Sequence, residues 1–191
     1  MENRTPTNKR TVAAAEKKTG LSSVSNLVLV GVLLAAGAVL KLTLTQIFQG
    51  FGMKPNFVIA MYCLAILLIK PKVYEGAIIG ILAGAICQFF PGTPYINLVS
   101  ELVGGVVMVL LMKIPMKIGK FDLHPIVCTA LSTLVSGFAF VGVMYAAFYA
   151  GASVTPTPLA LFMGIIFGTA AINAVIVQIL VLPLKAALRK D

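Results

Sequence analysis

Charge is what this chain has least of. Aspartate, glutamate, lysine and arginine make up 11% of its 191 residues, against 59% hydrophobic, and the mean hydropathy is +1.00. A soluble domain of this length is about a quarter charged. Too little polar material is present to cover a globule, so lipid must solvate much of the surface. The scarcity extends to reactive groups. There is one histidine, and the three cysteines, Cys63, Cys87 and Cys128, sit inside apolar runs with no CxxC spacing, which argues against a disulfide framework or a zinc site. Walker A, HExxH and GxSxG stretches and paired aspartates are absent, which excludes an ATPase or a zinc protease. The sequence predicts no enzyme, no metal and no cofactor. His124 falls in a polar break without a triad partner and reads as an interfacial surface residue.

A formal net charge of +9 points to nucleic acid only when it gathers into a patch or stripe. Here it does not. Arg4, Lys9, Arg10, Lys17 and Lys18 lie in a polar N-terminal tail, residues 1–23, whose composition predicts disorder and which does not read as a cleavable signal. A single membrane domain, residues 24–191, follows. Its apolar runs cover 24–48, 56–69, 74–90, 96–112, 125–149 and 158–184. A spanning helix needs about 20 apolar residues, so these predict an all-α integral membrane protein with six transmembrane helices. The second run is short, which predicts partial spanning or local thinning of the bilayer. Pro125 and Pro158 suit first-turn positions, where a missing N–H costs little.

Lysine and arginine then set the topology. Lys70 and Lys72 follow the second run, Lys113, Lys117 and Lys120 the fourth, and Lys185, Arg189 and Lys190 end the chain. With the tail these alternate onto one face, which puts both termini in the cytoplasm. The three breaks on the opposite face hold one basic residue, Lys54. No hydropathy repeat relates the halves, against an inverted-repeat transporter.

Ionisable residues within or at the edge of the apolar runs are Lys41, Lys54, Glu75 and Glu101, each costing roughly 2.5–3.5 kcal/mol at a helix centre. Glu75 needs no further role as a carboxylate near a helix N-terminus. Glu101 lies more than one turn inside the fourth run, with Asn97 at i−4 on the same face and Ser100 beside it. That is either a small polar site facing the interior or an internal ion pair with Lys41 or Lys54. Lys54 stands in "FGMKPNFVIAMY". Gly50 and Gly52 permit a sharp bend before it, and Pro55 biases it toward extended backbone. This loop can close over a pocket mouth with the ammonium inward, or the lysine can snorkel to headgroups. An ammonium and a carboxylate on one side complement a zwitterion such as an amino acid.

Aromatic residues gather on that side too: Phe48, Phe51, Phe57, Phe89, Phe90, Tyr95, Tyr145, Phe148 and Tyr149. Interfacial belt and ring-stacking roles are both open to them. Small residues at helical spacing mark Gly31, Ala35 and Ala38 on the first helix and Gly76, Gly80 and Gly84 on the third. Such faces let helices approach closely in lipid. The third reads as internal packing, the first as internal packing or docking to a separate membrane subunit.

Together the basic tail, six helices, inward termini and the outer loop before a short second helix resemble a substrate-binding S component of an energy-coupling factor (ECF) transporter. Within that class "GMKPN", "FVIAMYCLAILLIKPK" and "FPGTPYIN" are similar to the tryptophan-transporter S components. The resemblance implies a bacterial plasma-membrane protein that takes a small nutrient from outside, tryptophan or a related aromatic zwitterion. It also implies partners, a transmembrane scaffold subunit and a pair of cytoplasmic ATPases. A vitamin or its precursor is the alternative substrate, and an unrelated membrane enzyme subunit the more distant reading. The expected site has Lys54 on a carboxylate and Asn97 and Glu101 on an amine or ring N–H, with Asn56, Gln88 and Tyr95 beside them. Gln88 and Asn173 also suit interhelical hydrogen bonding.

Overall fold

A computed structural model describes residues 20–50, 54–91, 95–118 and 121–188. The tail before residue 20, and with it the expectation of disorder there, lies outside these residues, as do Phe51 and Gly52. The helices are α1 (Val24–Gln49), α2 (Val58–Ile69), α3 (Val73–Cys87), α4 (Ile96–Met112), α5 (His124–Tyr149) and α6 (Leu159–Leu188). Their bounds follow the six apolar runs to within a few residues. The exception is α6, which continues through Pro183 to Leu188. Proline inside an apolar membrane helix is tolerated because neighbouring groups satisfy the freed carbonyl. The break after α4, expected as loop, holds a two-residue antiparallel pair, β1 (Lys117–Ile118) with β2 (Phe121–Asp122).

Three helices, α1, α5 and α6, are long and apolar enough to cross a membrane, while α2, α3 and α4 are shorter. With 26 residues, α1 is about 39 Å long. Large apolar side chains face outward along both flanking helices, among them Val28, Val32 and Val39 on α1 and Phe167, Ile179 and Leu182 on α6. Such a continuous apolar exterior suits hydrocarbon.

The second helix departs from expectation. Every residue of α2 is buried, and α2 packs against all five other helices. A helix apolar on every side is a core element. Surrounded by protein, α2 has no lipid-facing side to match to the bilayer, so 12 residues suffice.

Glycine draws α3 against α4. A methyl group on Gly76 would strike the Val109 side chain, on Gly80 the carbonyl oxygen of Glu101, and on Gly84 the backbone of Asn97 and Leu98. The small-residue stripe of α3 is therefore internal packing, and it holds the backbone of Asn97 and Glu101 directly on α3. On α1 only Gly37 does this, backing onto Val58 and Met61 of α2. Gly31 and Ala35 are exposed and Ala38 is half-buried.

Glu75 proves to be more than a helix-end charge. It is buried, and its carboxylate accepts from the backbone N–H of Lys72 at 2.7 Å and of Leu21 at 2.9 Å. That ties the 3₁₀ turn Gly20–Ser22 to the start of α3. His124, half-buried, places Nε2 3.0 Å from the Met112 carbonyl oxygen and so joins the end of α4 to the start of α5.

Candidate functional site: a polar-floored cavity at one end of the bundle

The helices run alternately up and down, so α1, α3 and α5 finish where α2, α4 and α6 begin. At that end lies a cavity of about 910 Å³, within the size range of small-molecule sites. Its walls come from the last turns of α1, the first turns of α4, residues 133–144 of α5, the first three turns of α6 and the α5–α6 loop.

Four of the residues expected from sequence line this one cavity: Lys54, Asn56, Asn97 and Glu101. Glu101 is 2% exposed. Its carboxylate accepts from Asn56 Nδ2 at 2.7 Å and from Ser136 Oγ at 3.1 Å. Neither partner is a lysine, so amide and hydroxyl donors, rather than an ion pair, hold the acid in place. Asn56 is itself fixed from behind, its carbonyl oxygen accepting from Asn173 Nδ2 at 3.2 Å. Lys54 is exposed at the mouth. Gly50 adopts φ −59°, ordinary right-handed backbone, so the bend into this loop is not made by a left-handed glycine there.

Gln88 and Tyr95 are not among the lining residues. Gln88 donates to the Gly84 carbonyl at 2.9 Å and accepts from the Tyr95 backbone N–H at 2.9 Å, bracing the α3–α4 connection. The Tyr95 side chain is exposed. Of the aromatic residues on this side, Phe90 lines the cavity, Phe57 is buried in the bundle, and Phe89 and Tyr149 face outward.

Three groups of lining residues were not among the expected site residues. Lys41 is one. It is half-buried, its Nζ lies 3.3 Å from Cys87 Sγ and 4.9 Å from the centroid of the Phe90 ring, and it reaches no carboxylate among the described residues. With Thr45 and Gln49 it makes a polar row at i, i+4 and i+8 on α1, the spacing that shares one helix face; that row was the available signal. The second group is aromatic. Phe140 of α5 and Phe162 of α6 pack with ring centroids 6.1 Å apart. The third is hydroxylic: Thr133, Ser136 and Thr169 are buried polar residues on the deep side. On α5, Thr133, Ser136 and Phe140 fall near one face, a periodicity readable only once that face is known to be internal.

The cavity therefore combines a fixed acid, two cations, aromatic rings and buried hydroxyls, which is a chemistry for holding a small amphipathic molecule rather than transforming one. Comparison with known proteins agrees. The family model described as "Tryptophan transporter TrpP" matches residues 23–189. The chain belongs to the tryptophan transporter family. A relative from Clostridium acetobutylicum named "Probable tryptophan transport protein" is 30% identical over 171 residues, 87% of this chain and 95% of that protein. No solved structure matches this chain. Members of the family are transport proteins, not enzymes, and this member is a multi-pass membrane protein. The likeness carried by "GMKPN" and its flanking stretches is thus borne out at the level of the family.

Proposed function

We propose that the protein captures tryptophan from outside the cell as the substrate-binding subunit of an ECF-type importer. The observation that carries this is Lys41. A cation in an apolar helix is costly, and this one lines a cavity with an aromatic ring beside it and makes no ion pair with a carboxylate among the described residues. The missing anion is the ligand's carboxylate, with Lys54 adding a second ammonium at the mouth. Glu101 takes the ligand's ammonium, Asn97 lies beside it, and Asn56 and Ser136 orient the acid. Gln88 and Tyr95 act indirectly by shaping the α3–α4 rim. Phe90, Phe140 and Phe162 supply ring contacts.

In this reading residues 24–191 form six spans with both termini cytoplasmic and residues 1–23 a basic cytoplasmic tail, which the lysine and arginine asymmetry supports. The cavity then opens outward. Since the chain carries no nucleotide motif, inward delivery needs an external motor, a scaffold subunit with paired ATPases. The exposed small-residue face of α1 at Gly31, Ala35 and Ala38 suits close approach of the scaffold's helices.

The chain contains no tryptophan of its own, which makes the test direct. Purified protein in detergent is titrated with L-tryptophan and the ligand's own fluorescence is followed at an excitation where tyrosine does not absorb. Saturable binding that tyrosine and riboflavin do not displace is the expected result. No saturable signal, or displacement by a vitamin at lower concentration, overturns the tryptophan assignment.

A further inference from the structure

Resting on that reading of the cavity, we infer that Thr133 and Thr169 are the residues that read the ring, accepting the indole N–H at the deep end of the site. Among the described residues Thr133 and Thr169 are buried hydroxyls with no hydrogen-bond partner, and both residues line the cavity. They are 2% and 5% exposed, one on α5 and one on α6.

Their lack of a partner is unusual for threonine on a helix. The default is a bond back to the carbonyl one turn earlier, and Thr43 on α1 makes it, donating to Val39 at 2.9 Å. Ser132 and Ser136 on the same α5 are also satisfied, by Gly104 and Glu101. A buried polar group left unpaired is costly, so two of them on residues that line one cavity mark a position built for a ligand's polar atom.

Their surroundings say which atom. Seven residues toward the mouth from each threonine stands a phenylalanine, Phe140 above Thr133 and Phe162 above Thr169, with Gly137 and Ile166 between them. Seven residues span about 10 Å of helix, close to the long dimension of a bicyclic ring. An aromatic pair above and a hydroxyl pair below fit a flat apolar ring with one polar edge. The charged groups, Lys41 and Glu101, come from α1 and α4 and are left for the amino-acid head. The ring's polar edge is a donor, and a hydroxyl is an acceptor for it.

The test compares tryptophan with 3-benzothienyl-alanine, in which sulfur replaces the ring N–H and no donor remains. A site built to pair an N–H discriminates against the analogue that lacks it. Wild type is expected to prefer tryptophan by about 10-fold, the scale of one buried hydrogen bond. In Thr133→Val/Thr169→Val the preference is expected to fall below about 2-fold, through loss of tryptophan affinity while the analogue binds as before. Retained analogue binding also shows that the variant is folded. A tryptophan preference that survives both substitutions, or an equal loss for both ligands, overturns the ring-edge assignment alone. Wild type that binds neither ligand overturns the cavity reading and this inference with it.

Discussion

Asn56 Nδ2 lies 2.7 Å from Glu101 Oε1, and the backbone carbonyl of the same asparagine accepts from Asn173 on α6. One residue at the entrance to the central helix thus joins the acid on α4 to the sixth helix. A site assembled from separate helices needs such a joint, because no single element carries both halves.

That joint makes the first prediction. In Glu101→Gln one carboxylate oxygen becomes an NH₂ donor. Asn56 and Ser136 both donate to the native acid, so a donor now faces a donor. The loss of a charged acceptor for two hydrogen bonds costs roughly 1.5–3 kcal/mol. Tryptophan affinity should fall by about 10- to 100-fold, with a measurable drop in detergent Tm. Adding Asn56→Asp restores an acceptor opposite the new amide and should recover the Tm but not the affinity. Unchanged affinity in Glu101→Gln removes the acid from the ligand site.

Lys41 and Lys54 are distinguishable by ligand choice. Lys41→Met keeps length and apolar stem but loses the charge, and should weaken tryptophan by about 10- to 100-fold, the range for a charge-assisted hydrogen bond. Tryptamine, which lacks the carboxylate, should bind both proteins equally. Lys54→Ala, at an exposed position, should cost less than about 5-fold. If Lys54→Ala is the more damaging change, the loop lysine and not the helix lysine holds the carboxylate.

Much of this was legible in the sequence, for physical reasons. The six apolar runs fixed helix bounds because proline, glycine and lysine clusters stop helices locally. Asn97 and Glu101 were readable as neighbours because i, i+4 spacing is a property of one helix. What connects helices was not readable. Glu75 looked like a helix-end charge until Leu21 donated to it across 54 residues. Gln88 looked like a ligand contact because its two backbone partners lie on either side of a loop. Lys41 was recognised as costly, yet an ion pair of Glu101 with Lys41 or Lys54 stayed open beside the polar-site reading, since nothing local says that Glu101 is already satisfied by Asn56 and Ser136. The central place of α2 was hidden for a similar reason: an apolar run of 12 residues has the same composition whether lipid or protein surrounds it.

The glycine contact between α3 and α4 predicts a remote effect on the site. A side chain at Gly80 would press on the carbonyl oxygen of Glu101 and the Leu102 backbone. Gly80→Val should therefore open the helix pair at the level of the acid, costing about 1–3 kcal/mol of stability, the usual range for overpacking. Tryptophan affinity should fall along with Tm. Gly31→Val on α1, where nothing lies within 4 Å, is the control and should change neither. A Gly80→Val protein with full stability would mean that the two helices are not held by this contact.

The outer face of α1 separates capture from transport. Gly31 and Ala35 are exposed and precede Lys41, the first cavity-lining residue of α1, by six residues or more, so a bulky side chain there projects away from α2 and does not reach the ligand. Ala35→Trp should bind tryptophan as wild type does, read by calorimetry because the new indole obscures the fluorescence. In cells auxotrophic for tryptophan and dependent on this transporter, the same variant should lose most uptake, since a large side chain prevents the close helix approach that small faces permit. Gly37→Leu is the opposite case. It collides with Val58 and Met61, so it should unfold the bundle and lose binding and uptake together. Uptake at wild-type rate in Ala35→Trp would remove this face from the docking surface, leaving the binding site untouched.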